Sequence, residues 1–346
     1  AGGVTGTYRI ARWSKANQSW EGLGVTSANS IIDVIWCMAF DANGDLYVGG
    51  NFTDIAGTGA DYVAKYAVAT GTWSVVGSGI SHPNGATIYA IEVSPDGTIF
   101  IGGYFDTAGG NDNCNRIAYF DKTANNWRPL STGLNGTVRA LRFTPDGRLL
   151  IGGTFTNADG TNGDYICWWN GSAFKSFTDL GATEISGFVW SIDINPAGTI
   201  IIGGKFVNAG GDINADGIAA WRGNNWGSLK AGGLYGGGIY NVYKVVCASN
   251  GDIYATGTFT QAGDLIVDRV ARSVGGAWQR MDIDLPNINV PILAMLEASD
   301  GSFYLGGQFS TAGSSENAIS AGAIDLNVSS GSANTYPFIS VMGPGK

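Results

Sequence analysis

Short apolar runs alternate with glycine-rich polar turns along the whole chain, and one apolar run keeps returning. Residues 46–53 read LYVGGNFT, and related strings recur as IFIGGYF, LLIGGTF, IIIGGKF, IYATGTF and FYLGGQF. The second glycines of the six strings are Gly50, Gly103, Gly153, Gly204, Gly257 and Gly307, so their separations are 53, 50, 51, 53 and 50 residues. A fixed period near fifty residues indicates a repeat architecture.

Each repeat predicts four short strands. Two apolar runs joined by an Asn-Gly or Asp-Gly turn form a hairpin, and a third β-rich run follows after a longer loop. The fourth strand carries an aromatic residue, which is Trp73, Trp127, Phe174, Trp226 or Trp278 in successive units. Four short strands per unit without helical periodicity are typical of one blade of a β-propeller. We therefore predict an all-β fold, a β-propeller of four-stranded antiparallel blades.

The period runs from end to end, so we predict a single domain over residues 1–346. The repeat units are 34–87, 88–137, 138–188, 189–241, 242–290 and 291–326, with an N-terminal half-unit at 1–24 and a tail at 327–346. Trp20 precedes Trp73 by one repeat length. We therefore expect six blades, the last closed by pairing residues 7–24 with the hairpin of residues 291–310. The alternative is seven blades, because Ala318 to Leu326 also reads as a third strand.

The phenylalanine that ends each repeated string is the same residue type in all six units. These residues are Phe52, Phe105, Phe155, Phe206, Phe259 and Phe309. Six equivalent positions filled by one large apolar residue indicate packing inside each blade. We predict that these side chains are buried.

The Gly-Gly pair, followed by aromatic residues such as Tyr66 and Trp73, resembles the kelch pattern. The longer unit, GGxFTxAG followed by an IAxW-like strand, is similar to repeats in large secreted or surface-attached bacterial proteins and in fungal cortical polarity markers. That resemblance implies a propeller that serves as a binding module, an assembly part or, occasionally, an oxidase scaffold. The copper oxidases of the group use His, Tyr and Cys ligands. Because His82 is the single histidine, the oxidase role is not carried over.

Composition removes several classes of partner. The net charge of −9 argues against nucleic acid and against polybasic membrane contacts, both of which need clustered Lys and Arg. No apolar run approaches the roughly 20 residues of a spanning helix. A lone histidine and four cysteines without CxxC spacing leave no zinc motif. We predict no nucleic-acid partner, no membrane insertion and no catalytic residue.

The aligned first strands hold a candidate binding site. One position is occupied in turn by Trp36, Tyr89, Arg139, Trp190, Tyr243 and Leu293. If the first strands line the propeller axis, these residues form a ring at one end of it. Flat aromatic groups beside a guanidinium suit sugar rings or planar side chains. The alternative interpretation is that these residues are wedges between neighbouring blades.

The same first strands also contain charged residues, which we predict to lie near the propeller axis. Glu92, Arg142 and Asp193 occupy one aligned position and alternate in sign over three consecutive units. Lys244 stands where the other units mostly have small residues, and it is the fourth candidate channel charge. We interpret the set as a structural charge ladder near the axis, with a catalytic set as the alternative.

One loop has the spacing of a cation site. Asp212, Asn214 and Asp216 match the D-x-N-x-D-G start of a calcium loop, in which alternate oxygen ligands surround a hard cation. The glutamate expected at the twelfth position is replaced by Gly223, and no helix flanks the loop. Asp, Asn and Gly also form ordinary turns. Calcium is therefore a candidate cofactor, and an ordinary turn is the competing interpretation.

These observations favour a non-catalytic binding or structural module, extracellular or surface-exposed, that engages a glycan or a protein partner. It is expected to be a segment of a larger polypeptide or assembly such as an adhesin, a surface filament or a phage tail, the last placing it on a virion surface. The alternative is a glycoside-active enzyme with carboxylates in the central pocket. Two carboxylates roughly 5–10 Å apart in such a pocket would distinguish the enzyme.

Overall fold

The computed structural model describes residues 10–14, 19–25, 33–158, 161–162, 165–230, 232–235, 240–281, 292–297, 303–307 and 321–324. Within these ranges the regular elements are strands, together with the 3-10 turns Thr178–Leu180 and Ala209–Gly211. No helix in these ranges has the length and apolar character required to cross a bilayer. The all-β prediction is confirmed.

The chain divides into two compact units. The first unit comprises residues 2–11, 21–179 and 343–346, and the second comprises residues 1, 12–20 and 180–342. The main division, at residue 179, falls near the end of the third repeat (138–188), after its last strand. Each unit therefore contains the sheets of three consecutive repeats.

The first unit contains three four-stranded antiparallel sheets, here named blades 1, 2 and 3. In chain order they follow a short two-stranded sheet, β1 (Ala11–Ser14) with β2 (Ser19–Gly22), and residues 12–20 of this segment belong to the second unit. Blade 1 consists of β3 (Ile35–Phe40), β4 (Leu46–Gly50), β5 (Val63–Ala67) and β6 (Thr72–Val75). Blade 2 consists of β7 (Thr87–Val93), β8 (Ile99–Tyr104), β9 (Ile117–Asp121) and β10 (Asn126–Pro129). Blade 3 consists of β11 (Val138–Phe143), β12 (Leu149–Gly153), β15 (Ile166–Trp169) and β16 (Phe174–Ser176), and its loop adds β13 (Asn157–Ala158) with β14 (Thr161–Asn162).

The second unit contains two four-stranded blades and one three-stranded blade among its described residues. Blade 4 consists of β17 (Ser186–Ile194), β18 (Ile200–Val207), β19 (Ile218–Trp221) and β20 (Trp226–Gly227). Blade 5 consists of β22 (Val242–Cys247), β23 (Ile253–Gly257), β26 (Val270–Val274) and β27 (Ala277–Arg280). A small sheet beside it holds β21 (Leu234–Tyr235), β24 (Gln261–Ala262) and β25 (Leu265–Ile266). Blade 6 consists of β28 (Ile292–Glu297), β29 (Phe303–Gly307) and β30 (Ala321–Ile324). The six sheets are consistent with the predicted six blades.

Backbone geometry explains the glycine pair of the second strand, which five of the six units contain and which is Thr256-Gly257 in blade 5. A Cβ atom on Gly50 would overlap the carbonyl oxygen of Val34, and one on Gly153 would overlap that of Thr137. The first glycine of the pair has a different neighbour, because a Cβ on Gly49 would lie 2.8 Å from the Ile88 side chain of the next blade. The second glycine therefore admits the close approach of two strands, and the first admits the packing of one blade on the next.

The repeated phenylalanines anchor the core of each blade. Phe52, Phe105, Phe155 and Phe259 are completely buried, and Phe206 is 2% exposed. The burial prediction is confirmed for these five residues, and Phe309 lies outside the described residues. Four of these rings lie in the apolar clusters of their blades, as Phe155 does with Val138 and Ile151.

The N-terminal residues pack on blade 1. Ile10, Leu23 and Val25 are buried in the cluster that contains Val48 and Phe52. The indole Nε1–H of Trp73 also donates to the carbonyl oxygen of Leu23 at 2.6 Å. This segment therefore contributes to the core of the first unit.

The predicted pairing of residues 7–24 with the hairpin of residues 291–310 is wrong. In the described structure β1 pairs with β2, and β29 pairs with β28 on one edge and with β30 on the other. The last unit therefore supplies its own third strand, as Ala318 to Leu326 indicated. A strand about fifteen residues away closes a far shorter loop than a strand near the N-terminus, and a shorter loop costs less entropy.

Candidate functional site

A β-bulge interrupts the first hairpin of every blade at the position predicted to form the ring. The ladder shifts register across one residue in each case, between residues 35/37, 88/90, 138/140, 189/191, 242/244 and 292/294. The skipped residues are Trp36, Tyr89, Arg139, Trp190, Tyr243 and Leu293. A bulged residue has no partner across the ladder and its side chain is re-aimed by the local bend. We call these six residues the bulge residues.

The bulge residues of blades 1, 2 and 3 contact one another. The Trp36 ring meets the Tyr89 ring edge-on, with centroids 5.6 Å apart, and Trp36 is 49% exposed. The guanidinium carbon of Arg139 lies 3.8 Å from the centroid of the same Tyr89 ring. Burial lowers the pKa of Arg139, while its contact with Tyr89 opposes that shift. The result is a continuous row of two aromatic rings and one cation across three blades, which we call the aromatic row.

The second unit repeats part of this arrangement. Trp190 and Tyr243 have ring centroids 5.3 Å apart, and the next bulge residue, Leu293, is 37% exposed. Lys244 follows Tyr243 directly, is half-buried and pairs with Thr256 across the ladder. Neighbouring bulge residues therefore touch in both units, as the wedge interpretation requires. Some of them are also partly exposed, as a binding site requires.

Two kinds of blade differ in how they brace the bulge. In blades 1, 3 and 5, the residue after Gly50, Gly153 or Gly257 has a side-chain oxygen that accepts a hydrogen bond. The donor is the backbone N–H two positions before the bulge residue. The pairs are Asn51 with Val34 at 3.2 Å, Thr154 with Thr137 at 3.1 Å, and Thr258 with Asn241 at 2.8 Å. In blades 2 and 4 that residue is Tyr104 or Lys205, neither of which can brace in this way, and the backbone ladder extends past the bulge instead. The sequence prediction did not identify this position, although aligning the strings at x of GGxF shows it.

Blade 2 carries a polar cluster that the sequence prediction also missed. The imidazole of His82 packs on the Tyr104 ring with centroids 3.9 Å apart, and the Arg116 guanidinium lies 4.7 Å from the same ring. Asp106 joins the two, with its Oδ1 3.0 Å from Arg116 Nη1 and its Oδ2 3.6 Å from His82 Nε2. His82 Nδ1 accepts the N–H of Asn84, so the single histidine holds a turn as well as this cluster.

Arg116 has a left-handed backbone conformation with φ of 65°. The residue before the third strand is left-handed in four other blades too, as Tyr62, Tyr165, Gly217 and Arg269. Two backbone hydrogen bonds hold this conformation, as Arg116 shows. Its N–H donates to the carbonyl oxygen of Phe105, and its own carbonyl oxygen accepts the N–H of Gly103. Left-handed geometry at a residue other than glycine costs on the order of 1–2 kcal/mol, which the surrounding ladder must offset.

The predicted channel charges bind backbone groups of neighbouring first strands. Glu92 Oε1 accepts the N–H of Phe143 at 3.4 Å and lies 3.9 Å from Arg142 Nη1, both on the first strand of blade 3. In the second unit, Asp193 Oδ2 accepts the N–H of Cys247 at 2.8 Å. Each carboxylate joins two adjacent first strands, which is the geometry that the structural interpretation requires.

The oxygen atoms of the candidate calcium loop accept backbone hydrogen bonds. Asp212 Oδ1 accepts from Asn214 at 2.9 Å and its Oδ2 accepts from Ser228 at 2.8 Å, while Asp216 Oδ1 accepts from Asn208 at 2.7 Å. The hydrogen bonds from Ser228 and then Asn214 lower the pKa of Asp212. In the part of the chain that the structure describes, no three His, Cys, Asp or Glu residues are grouped as a metal site. Calcium binding by two carboxylates and one amide stays a prediction.

Comparison with known proteins supports the fold. Residues 81–238 match the family model described as the Rax2 C-terminal beta propeller domain. A protein from Lactobacillus plantarum has a similar structure at 9% identity, with 96% of this chain and 92% of that chain covered and a TM-score of 0.56. Virginiamycin B lyase from Staphylococcus aureus is similar at 9% identity, with 86% and 85% covered and a TM-score of 0.53. No curated protein matches the chain.

The blades, the family match and the similar structures together define the class of protein as a β-propeller. The match to the family model covers less than half of the chain, and the structural likenesses at 9% identity show the fold alone. The finer assignment to kelch-like repeats stays a prediction.

Proposed function

We propose that the chain is a non-catalytic binding module that engages a glycan or a protein partner through its bulge residues. The observation that carries this proposal is the aromatic row in the first unit. It places Trp36, half exposed, beside Tyr89 and Arg139 in three consecutive blades. Exposed aromatic surface is costly to leave unpartnered, and rings with a polar edge are common anchors in recognition sites.

A polar neighbour of the row favours a glycan. Asn51 brings an amide group next to Trp36, whose indole N–H donates to Asn51 Oδ1 at 3.2 Å. Aromatic surface with a few placed hydrogen-bonding groups suits a sugar ring, which has apolar C–H faces and hydroxyl edges. A protein partner that inserts planar side chains is the second ligand class.

The cellular setting belongs to the proposal as well. An acidic chain of net charge −9 with abundant Gly, Asn and Thr turns suits an extracellular or cell-surface location, or a virion surface. Within such a setting we propose a role in adhesion or in a larger assembly, such as a surface filament or a phage tail. Stable four-stranded blades supply the rigid scaffold on which such a binding surface depends.

Glycan-array binding, run beside turnover assays on the same sugars, tests the function. We expect array binding without turnover, and we expect Trp36→Ala and Tyr89→Ala to abolish it. Phe40→Ala is the matched control, because Phe40 lies on the same strand as Trp36 and is 64% exposed but is not a bulge residue. Binding that survives loss of both row aromatics, or that falls equally with Phe40→Ala, would contradict the proposal.

A glycoside-active enzyme is the second candidate, and one pair of carboxyl groups favours it. Burial and then the neighbouring Asp54 carboxylate raise the pKa of Asp61, and both residues lie in the loop between β4 and β5. A carboxyl group whose pKa is raised in the presence of a second carboxyl group is one feature of a glycosidase site. Turnover of an array sugar that Asp61→Asn abolishes, with binding kept, would establish this alternative.

A further inference from the structure

Asn51 fixes the orientation of the exposed indole in the aromatic row. Its Oδ1 accepts the indole Nε1–H of Trp36 at 3.2 Å and the backbone N–H of Val34 at 3.2 Å. The first bond holds the indole edge, and the second braces the bulge that presents it. One side chain therefore serves both the scaffold and the ring.

The chemistry of these two bonds also settles which way the amide points. An indole N–H and a backbone N–H are donors only, so both must face the oxygen of the amide and not its NH2 group. The Nδ2 group of Asn51 consequently points away from both donors, and within the described ranges no acceptor engages it. Two N–H donors are thus presented next to a half-exposed indole.

The equivalent residues show that the scaffold alone does not require asparagine. Thr154 and Thr258 brace their bulges through Oγ1, and they add no bond to the bulge residues Arg139 and Tyr243. A threonine is therefore sufficient for the brace at two positions of the same fold. Among the three braced blades, only Asn51 adds this reach and these amide donors, and its blade is the one that carries Trp36.

We propose that Trp36 and Asn51 together form a subsite for a neutral pyranose, an inference that rests on the proposed glycan-binding function. The indole stacks on the C–H face of the sugar, and Asn51 Nδ2 donates to a ring hydroxyl oxygen. Neither residue makes a charged contact, whereas the guanidinium of the row belongs to Arg139 and lies on Tyr89. Asn51 positions Trp36 and contributes to specificity, and the subsite prefers a neutral sugar over a uronic acid.

Three variants separate the brace from the subsite. Asn51→Thr keeps the brace, as the chain itself does in blades 3 and 5, but cannot hold the indole edge or offer an N–H donor. Asn51→Ala removes both functions. Thr154→Ala is the matched control, because it removes a brace of the same kind from blade 3 and leaves Trp36 unchanged.

The probes are the methyl β-glycosides of glucose, galactose and N-acetylglucosamine, with that of glucuronic acid as the charged comparison. We expect at least one neutral glycoside to bind. Asn51→Thr should weaken that binding about five- to tenfold, the effect of losing one or two neutral hydrogen bonds, without a change in melting temperature. Thr154→Ala should lower the melting temperature and leave the affinity unchanged.

A second readout needs no ligand. The indole N–H of Trp36 should give a proton–nitrogen resonance that exchanges slowly in the wild type and rapidly in Asn51→Thr, with no change in Thr154→Ala. Unchanged affinity or unchanged indole exchange in Asn51→Thr overturns the inference, and so does tighter binding of the glucuronide. Array binding that depends on Trp36 but is indifferent to Asn51→Thr refutes the subsite and leaves the binding function standing. Absence of all glycan binding refutes the subsite together with the glycan form of that function.

Discussion

The repeated phenylalanines and the bulge residues lie in or directly after the first strand pair of each blade, yet they differ in composition and in exposure. The phenylalanine position holds one residue type in all six units and is buried in the five that the structure describes. The bulge position holds Trp, Tyr, Arg, Trp, Tyr and Leu, and its members at the two ends of the sequence, Trp36 and Leu293, are exposed.

This difference in composition and exposure distinguishes residues that form the core of a blade from surface residues whose type can vary between blades. A buried ring in a close-packed core has one shape that fits, so the same residue returns in every unit. A bulge releases its residue from the ladder, so the side chain there is not constrained by the strand opposite. The glycine pair links the two positions, because it admits the bulge and leads directly to the phenylalanine.

Truncating the buried ring should have the largest effect. Phe155→Ala removes a completely buried side chain from blade 3, and we expect the free energy of unfolding to fall by about 3–5 kcal/mol. Denaturant titration of the variant against the wild type measures the loss. A change below about 1 kcal/mol would show that the repeated phenylalanines contribute little to the stability of the core.

Filling the space at the bulge should cost somewhat less. Gly153→Ala places a Cβ atom against the carbonyl oxygen of Thr137, and we expect a loss of about 2–3 kcal/mol in the free energy of unfolding. Gly147→Ala is the control, because Gly147 has φ of 86° with open space around it, so only backbone strain of about 1 kcal/mol is expected there. Equal losses in the two variants would mean that the bulge tolerates a side chain opposite it.

Removing a bulge residue should affect binding more than stability. Tyr89→Ala deletes the ring between Trp36 and Arg139, and we expect the free energy of unfolding to fall by only about 1–2 kcal/mol, the value of one aromatic pair and one cation–π contact. Ligand affinity should fall much further. Tyr66→Ala is the control, because Tyr66 is a buried ring packed on Trp73, and its loss should lower stability without lowering affinity.

The smallest effect is expected at the candidate calcium loop. Backbone hydrogen bonds lower the pKa of Asp212, so its carboxylate contributes stability above the ordinary carboxyl pKa, and that contribution disappears as the pH falls through the folded-state value. Asp212→Asn should therefore cost less than about 1 kcal/mol at neutral pH, and the difference from wild type should vanish in acid. Urea titrations at a series of pH values measure it.

The same loop distinguishes a turn from a calcium site. An ordinary turn predicts one melting temperature with and without chelator, for the wild type and for Asp216→Ala alike. Calcium bound to the native state would instead raise the melting temperature in a chelator-sensitive way, and Asp216→Ala would abolish that sensitivity. In that case the loop, like the bulge residues, would have a function that differs from blade to blade.

The sequence by itself determined the repeat, its four-stranded unit and the burial of its phenylalanines. These features follow from local patterns, since the spacing of apolar runs, the turn glycines and the residue type at one repeated position are all visible along the chain. Alignment of the first strands also identified the six bulge residues, but it did not predict that a β-bulge occurs at each of them. Alternation of apolar and polar residues does not show a one-residue shift in register.

Only the tertiary structure decided which residues meet. It placed Arg139 on Tyr89, and it directed two N–H groups to the side-chain oxygen of Asn51. It also brought together the blade 2 cluster of His82, Tyr104, Asp106 and Arg116. It also paired β29 with β30, where the sequence had favoured residues 7–24. Two segments with the same strand pattern can satisfy the same edge equally well. The choice between them depends on chain distance and packing, which the pattern does not contain.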